Sequence, residues 1–274
     1  MKTNADATSP GMQGDIIPGR RAVLEALRAD RPIRKLLIAK GTTRGGIVRV
    51  ILDEARRRHV TVQYVTPARL DALMPRATHQ GAIALASARP PVALDAILEH
   101  ARARGEPPLV VVLDGLQNPA NLGAILRTAD GAGVHGVVIP RHRAVGLTGA
   151  VAKTSAGAIE HVPVAEVTNL VRALEALKAA GLWVAGADPG AADLYYETRL
   201  VPPLALVIGG EERGLSRLVR EHCDFLVRLP MRGHLASLNV AVATGVLLYE
   251  VLRQSTGSSG SRPHDSEAGT DQTR

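Results

Sequence analysis

Two uninterrupted aliphatic runs constrain this chain more than any other feature. Leu109–Leu113 (LVVVL) and Leu204–Ile208 (LALVI) carry no polar residue, and each is bracketed by prolines before and glycine shortly after. A strand with one wet face alternates polar and apolar residues, so a wholly apolar strand is covered on both faces. Helices on either side of a mostly parallel sheet supply that cover. The runs therefore predict an α/β fold. Further strands are expected at Gly136–Ile139, His161–Val164, Leu182–Ala187 and Phe225–Leu229. Helices are expected at Asn121–Ala132, Asn169–Ala180 capped by Thr168, Leu215–Glu221, and Leu238–Arg253 capped by Ser237.

A smaller module precedes this one. Its helices are expected at Arg20–Ala29, Gly46–Arg58 and Pro67–Met74, its strands at Lys35–Ala39, Thr61–Val65 and Gly81–Ala86. Arg89-Pro90-Pro91 marks a boundary, with a connecting helix over Leu94–Arg104. The reading is a first module at 16–88, a linker at 89–107 and a second module at 108–254. Residues 1–15 and 255–274 are small, polar and without periodicity, and are expected to be unstructured.

Charge divides along the same boundary. The 274 residues carry a net charge of +7, but residues 16–90 hold fifteen Lys or Arg against five Asp or Glu. That leaves +10 in the first module's stretch and −3 elsewhere. A basic module joined to a near-neutral one reads as a nucleic-acid holder attached to a unit that does chemistry. Trp183, Phe225, Tyr64, Tyr195, Tyr196 and Tyr249 are the only aromatic residues, too few for a base-stacking platform. Cys223 is the single cysteine, so no internal disulfide can form. No Cys/His spacing fits a metal site. The first fifteen residues lack an apolar signal region, and Val240–Leu248 is too short to span a bilayer. These features predict a soluble cytoplasmic protein.

Three turns carry the chemistry. In the first, the strand ending at Asp114 runs through Gly115-Leu116-Gln117-Asn118-Pro119 into a helix bearing Asn121, Gly123 and Arg127. A helix N-terminus favours anions, and a guanidinium adds a planar five-donor cation, a pairing suited to a ribose-phosphate. No G-x-G-x-x-G follows, which argues against a dinucleotide loop. In the second turn, Gly209-Gly210-Glu211-Glu212-Arg213-Gly214 follows a buried strand, so that bare backbone can meet a ligand and Glu211 projects at the carboxyl edge. The third runs Leu229-Pro230-Met231 through His234 to Ser237-Leu238-Asn239 at the last helix. No G-x-S-x-G elbow makes Ser237 a hydrolase nucleophile.

N-x-G-x-x-x-R, G-x-E-x-x-G and L-P-M…S-L-N-V, in this order, resemble the three motifs of the SpoU (TrmH-type) RNA 2′-O-ribose methyltransferases of the SPOUT class. Gly19-Arg20-Arg21 through Leu27, with His79-Gln80-Gly81, is similar to the small RNA-binding domain, akin to ribosomal protein L30e, of the members that methylate a guanosine of bacterial 23S rRNA. The resemblance spans about residues 16–254. It implies a C-terminal SPOUT domain with a trefoil knot, S-adenosylmethionine bound in it, and a homodimer. By position it implies cofactor contacts at Gly209, Leu229 and Leu238, with Gly186, Ile208 and Met231 as further wall. Arg127 matches the catalytic arginine, and Asn121, Glu211, Ser237 and Asn239 match other active-site positions. Arg20, Arg21 and His79 are the expected RNA contacts. Two positions depart from the family pattern: Gly210 where Ser or Ala is usual, and Glu212 where Gly is common. A tRNA substrate, or a non-catalytic RNA-binding assembly factor on the same fold, are the rival readings.

Overall fold

The computed structural model describes residues 15–42, 46–75, 78–87 and 90–257. The expected unstructured segments therefore lie largely outside the described residues, with informative exceptions at their inner edges.

The first module is a four-stranded mixed sheet in the order β1-β4-β2-β3. β1 (Asp15–Pro18) and β2 (Ile33–Ala39) flank β4 (Ala82–Ala86) antiparallel, while β3 (Val62–Val65) runs parallel to β2. Sequence periodicity missed β1, because four residues ending in proline show no period; pairing with β4 creates the strand. Helices α1 (Arg20–Arg28) and α2 (Ile47–Arg57) cover one face, and α3 (Pro67–Leu73) packs Leu70 against Leu37, Ala39 and Ile83 on the other.

The second module is a seven-stranded, wholly parallel sheet in the order β7-β6-β5-β10-β8-β11-β9. Its strands are β5 (Leu109–Asp114), β6 (Gly136–Pro140), β7 (Val164–Val167), β8 (Trp183–Ala187), β9 (Asp193–Leu194), β10 (Leu204–Gly209) and β11 (Phe225–Arg228). The two aliphatic runs are its adjacent central strands, and the alternation of side chains sorts them onto both faces. Leu109, Val111, Leu113, Leu204, Leu206 and Ile208 enter one apolar layer; Val110, Val112, Ala205 and Val207 enter the other. The first layer is closed by α5 (Pro119–Gly131), α6 (Gly149–Thr154) and α9 (Val240–Gly257), the second by α4 (Leu94–Ala103), α7 (Leu170–Ala179) and α8 (Arg217–Glu221).

Several boundaries differ from the sequence reading. β7 begins after Pro163, which has no N–H to give a ladder, rather than spanning His161–Val164. Helix α9 runs on to Gly257, because the hydroxyls of Ser255 and Thr256 return to the carbonyls of Val251 and Leu252 at 2.7 and 2.9 Å. Asn169, not Thr168, caps α7 by accepting from the Arg172 N–H at 3.2 Å. The described part of the expected linker, residues 90–107, is packed rather than free. The Val92 N–H donates to the Val164 carbonyl at 2.9 Å, and Ile97 of α4 is fully buried against Gly136, where a Cβ would come within 2.6 Å of it.

The modules are joined by a shared core. One apolar cluster runs from Ile17, Leu24 and Leu27 of the first into Val151, Ile159 and Leu122 of the second. Across this junction Arg31 donates to Glu160 at 2.6 Å, both side chains 4% exposed, and its Nη2 and Nε also reach the Ser87 carbonyl at 2.9 and 3.2 Å. His161 meets Glu25 at 3.2 Å nearby.

Candidate active site

Ligands in open α/β sheets bind beyond the carboxyl ends of the strands, and three loops converge there. The register of the two central strands pairs Gly209 with Asp114, so the turns following β5 and β10 must meet. Asp114 links them by accepting from the Ser216 N–H at 2.6 Å, while the turn after β10 is closed on itself by Gly214 donating to the Gly210 carbonyl at 3.1 Å. At Gly209 a Cβ would sit on the backbone of Gly214 and Leu215, and at Gly210 it would stand 2.9 Å from the Gly115 carbonyl. Glycine at 210 thus admits a closer approach of the two turns than Ser or Ala allows. The third loop arrives because α9 packs on α5.

At that meeting point three expected active-site residues form one hydrogen-bonded chain. The amide of Asn239 donates to Oδ1 of Asn121 at 3.1 Å, and Nδ2 of Asn121 donates to Glu211 at 2.8 Å. A carboxylate can only accept, which fixes how the Asn121 amide faces and so how Asn239 must face. Asn239 is itself anchored, its Oδ1 accepting from the N–H groups of Ala241 and Val242 at 2.9 and 3.4 Å. It is therefore the cap of α9, the role expected of Ser237. Likewise Asn118 caps α5, accepting from Ala120 at 2.8 Å, with Pro119 in the first helical turn. That leaves the Asn121 side chain available to the site.

Burial pushes the Glu211 carboxyl up, but hydrogen bonds from Asn121 and from the backbone at Glu211, Gln117 and Asn118 outweigh it, holding the group below the usual carboxylate range. Glu211 is thus ionised at neutral pH. Glu212 is exposed beside it.

Beside this chain lies a cleft of about 500 Å³ lined by Ile208, Gly209, Leu229, Met231, Ser237, Leu238 and Asn239. Five of the six expected cofactor positions line it. Gly186 does not: it lies behind the wall, where a Cβ would come within 2.6 Å of Leu226 and 2.8 Å of Cys223. Its requirement is packing space beneath Leu215. Burial pushes the Cys223 thiol up to about 11, so it is an inert part of that packing. Among the described residues no cluster of His, Cys, Asp or Glu could hold a metal, and no helix is long and apolar enough to cross a membrane.

Arg127 stands apart. Six residues beyond Asn121 on α5, it is turned about 120° around the helix. It is exposed, lines neither this cleft nor its neighbour, and has no ion-pair or hydrogen-bond partner among the described residues. Of the expected RNA contacts, Arg21 is exposed, and Arg20 is steadied by its Nε donating to the Gln80 carbonyl at 2.8 Å. His79 is engaged locally, with Asp71 of α3 and with the Gly81 N–H, both at 3.0 Å.

Residues 108–249 match the SpoU rRNA Methylase family model, more than half of the chain. The chain belongs to the SpoU methylase family. Residues 16–92 of this SpoU methylase match the model described as RNA 2′-O ribose methyltransferase substrate binding. It is 48% identical over 242 residues to YacO of Bacillus subtilis, named a TrmH family tRNA/rRNA methyltransferase, an alignment covering 88% of this chain and 96% of the relative. A Staphylococcus aureus protein named for the same family is 45% identical over 89% of this chain and 97% of its own. Among solved structures it is similar to the SpoU methyltransferase AviRb of Streptomyces viridochromogenes in complex with AdoMet, with a TM-score of 0.74 and 27% identity over 88% of this chain and 90% of that one. A structure described as RNA 2′-O ribose methyltransferase matches with a TM-score of 0.71 at 29% identity, covering 89% of each chain.

Proposed function

We propose that this SpoU methylase transfers a methyl group from S-adenosylmethionine to a ribose 2′-hydroxyl of structured RNA, a guanosine of 23S rRNA, and that it works as a homodimer in the cytoplasm. The observation that carries the reading is the Asn239–Asn121–Glu211 chain standing at the mouth of the glycine-floored cleft. That cleft fits the cofactor. Leu229, Leu238, Met231 and Ile208 offer apolar walls for a purine, while the glycine backbone at 209–210 permits close approach without side chains. The trefoil knot belongs to the same proposal, supported by the turn after β10 pressing its backbone onto the turn after β5.

The bound cofactor supplies an electrophilic methyl group; the chain's residues supply position. Asn121, its amide fixed at both ends, presents its second N–H to an incoming ribose, and ionised Glu211 keeps that amide from turning. A 2′-hydroxyl is a poor nucleophile at neutral pH. Arg127 is suited to grip the neighbouring phosphate and polarise the hydroxyl, since a guanidinium stays charged and is a poor base.

Arg127 lies outside its own cleft, one turn before Gly131, which the Tyr249 hydroxyl approaches. Val242, Val246 and Tyr249 are 53, 36 and 54% exposed at helical spacing along α9. An exposed apolar face of this kind marks an interaction surface, and in this reading a second copy of the chain covers it.

Calorimetric titration with S-adenosylmethionine and a tritium methyl-transfer assay on rRNA test the reading. Arg127→Ala is expected to bind the cofactor normally while transfer falls about 10²–10³-fold, the cost of losing one preorganised charge. A wild-type protein that releases no heat is the assembly factor instead, and full transfer by Arg127→Ala removes that residue from the mechanism.

A further inference from the structure

A second basic feature lies at the junction between the modules, away from the methyl-transfer cleft. A groove of about 750 Å³ opens there, and it takes cations from both sides: Arg20 and Arg21 at the start of α1, and Lys153 near the end of α6. Thr78 and Gln80 add neutral polar groups, and no described carboxylate lines it. The carboxylates closest in sequence are already engaged, Glu25 with Arg28 at 3.2 Å and with His161, Glu160 with Arg31. Lys153 is half-buried, and neither it nor Arg21 has a side-chain partner among the described residues.

Their relative positions are fixed by the packing around them. On the first module's side, Gly19 donates to the Ala82 carbonyl at 3.0 Å and the Arg20 N–H reaches Gln80 Oε1 at 3.3 Å, so the elbow carrying both arginines is tied to the sheet. Across the junction, Gly149 and Gly157 bracket the Lys153 segment and admit no side chain. A Cβ on the first would strike the Ile16 carbonyl, and one on the second the Glu25 side chain. Between them, the Thr154 hydroxyl donates to the Pro119 carbonyl at 3.0 Å, at the start of the helix that carries Asn121 and Arg127. Helix α6 is thus a strut between the arginine elbow and the active-site helix.

We infer that Arg20, Arg21 and Lys153 form one composite site for the phosphodiester backbone of RNA, with Lys153 as the contact contributed by the methyltransferase module. This rests on the RNA-methylating reading above. It deepens that reading by making the junction a fixed ruler: RNA held in the groove lies at a set distance from Asn121. The chemistry is general. Three cations around a groove that no described carboxylate lines suit a chain of phosphates, and each phosphate contact releases counterions and steepens the dependence of binding on salt.

The test is binding of in-vitro-transcribed 23S rRNA domains by the full-length protein at several salt concentrations. Lys153→Gln is expected to lower the magnitude of the log–log salt slope by about 0.7–0.9 and to weaken binding about threefold. Lys153→Arg should restore both, and S-adenosylmethionine affinity should stay unchanged in all variants. Arg172→Gln removes one exposed charge from α7, outside the groove, and should leave the slope as in the wild type. Equal slopes for wild type and Lys153→Gln would overturn the composite site while leaving the methyltransferase reading intact. An equal drop in Arg172→Gln would overturn it too, as an effect of net charge alone. A wild-type protein that binds no RNA would overturn both.

Discussion

In the methyltransferase module the carboxylates at the sheet's carboxyl edge are committed to building loops. Asp114 holds the Ser216 N–H, Glu211 holds Asn121, and Asp188 holds both the Gly190 N–H at 2.7 Å and Arg220 at 2.6 Å. In the substrate-binding module cations outnumber acids three to one. Three of its acids pair with helix neighbours, Glu25 with Arg28, Asp53 with Arg56 and Glu54 with Arg57, while Arg21 is left open. One module uses charge to shape the loops around its cleft; the other carries an excess of positive charge. The junction uses a third device, a buried ion pair. The difference teaches that net charge is a property of each module's task, not of the chain.

The junction is where this contrast breaks most easily. Glu160→Ala takes the carboxylate from a buried ion pair, and removing one partner of such a pair costs about 3–5 kcal/mol. Thermal unfolding should show a large loss of Tm, and an unchanged Tm would mean that the modules do not dock through this pair. Next comes the cleft. Gly209→Ala drives a methyl into the Gly214 backbone, an overpacking cost of about 1–3 kcal/mol. Calorimetry should show S-adenosylmethionine binding weakened at least tenfold, with RNA binding retained; normal cofactor affinity would detach Gly209 from the site.

The smallest effect concerns acid. Burial holds the His135 imidazole below its ordinary range against the pull of Glu106, which sits 3.0 Å away. Its Nδ1 accepts from the Leu109 N–H at 3.0 Å, at the start of a central strand. A base with a lowered folded-state pKa is protonated first in the unfolded chain. Its contribution is therefore intact above the unfolded value of about 6.5 and is lost as pH falls from there toward the lowered folded-state value. Tm should decline across that window and His135→Asn should flatten the decline. A Tm that is level or rises on acidification contradicts the neutral imidazole.

Much of this was legible in the sequence, for identifiable reasons. Central strands buried on both faces cannot disguise their composition, so β5 and β10 were readable to within a residue. Resemblance singled out Asn121, Glu211 and Asn239 but could not show their contact, which depends on register pairing Gly209 with Asp114 and on α9 lying across α5. Caps were misread where two candidates stood close together. Thr168 and Ser237 look as good as Asn169 and Asn239, and only the direction of the entering chain decides. Gly186 was placed on the cofactor wall by resemblance alone, and a glycine beneath a leucine gives the sequence no sign that sets it apart from one beside a ligand. Lys153 carried no signal, because its partners across the junction are more than a hundred residues away.

The most direct test of the account is a transcriptome-wide map of 2′-O-methylated riboses in cells with and without the gene, and in cells carrying Arg127→Ala. The account predicts that one guanosine of 23S rRNA loses its methyl group without the gene, regains it with the wild-type chain and stays unmethylated with the variant. An rRNA map identical in all three strains would contradict it.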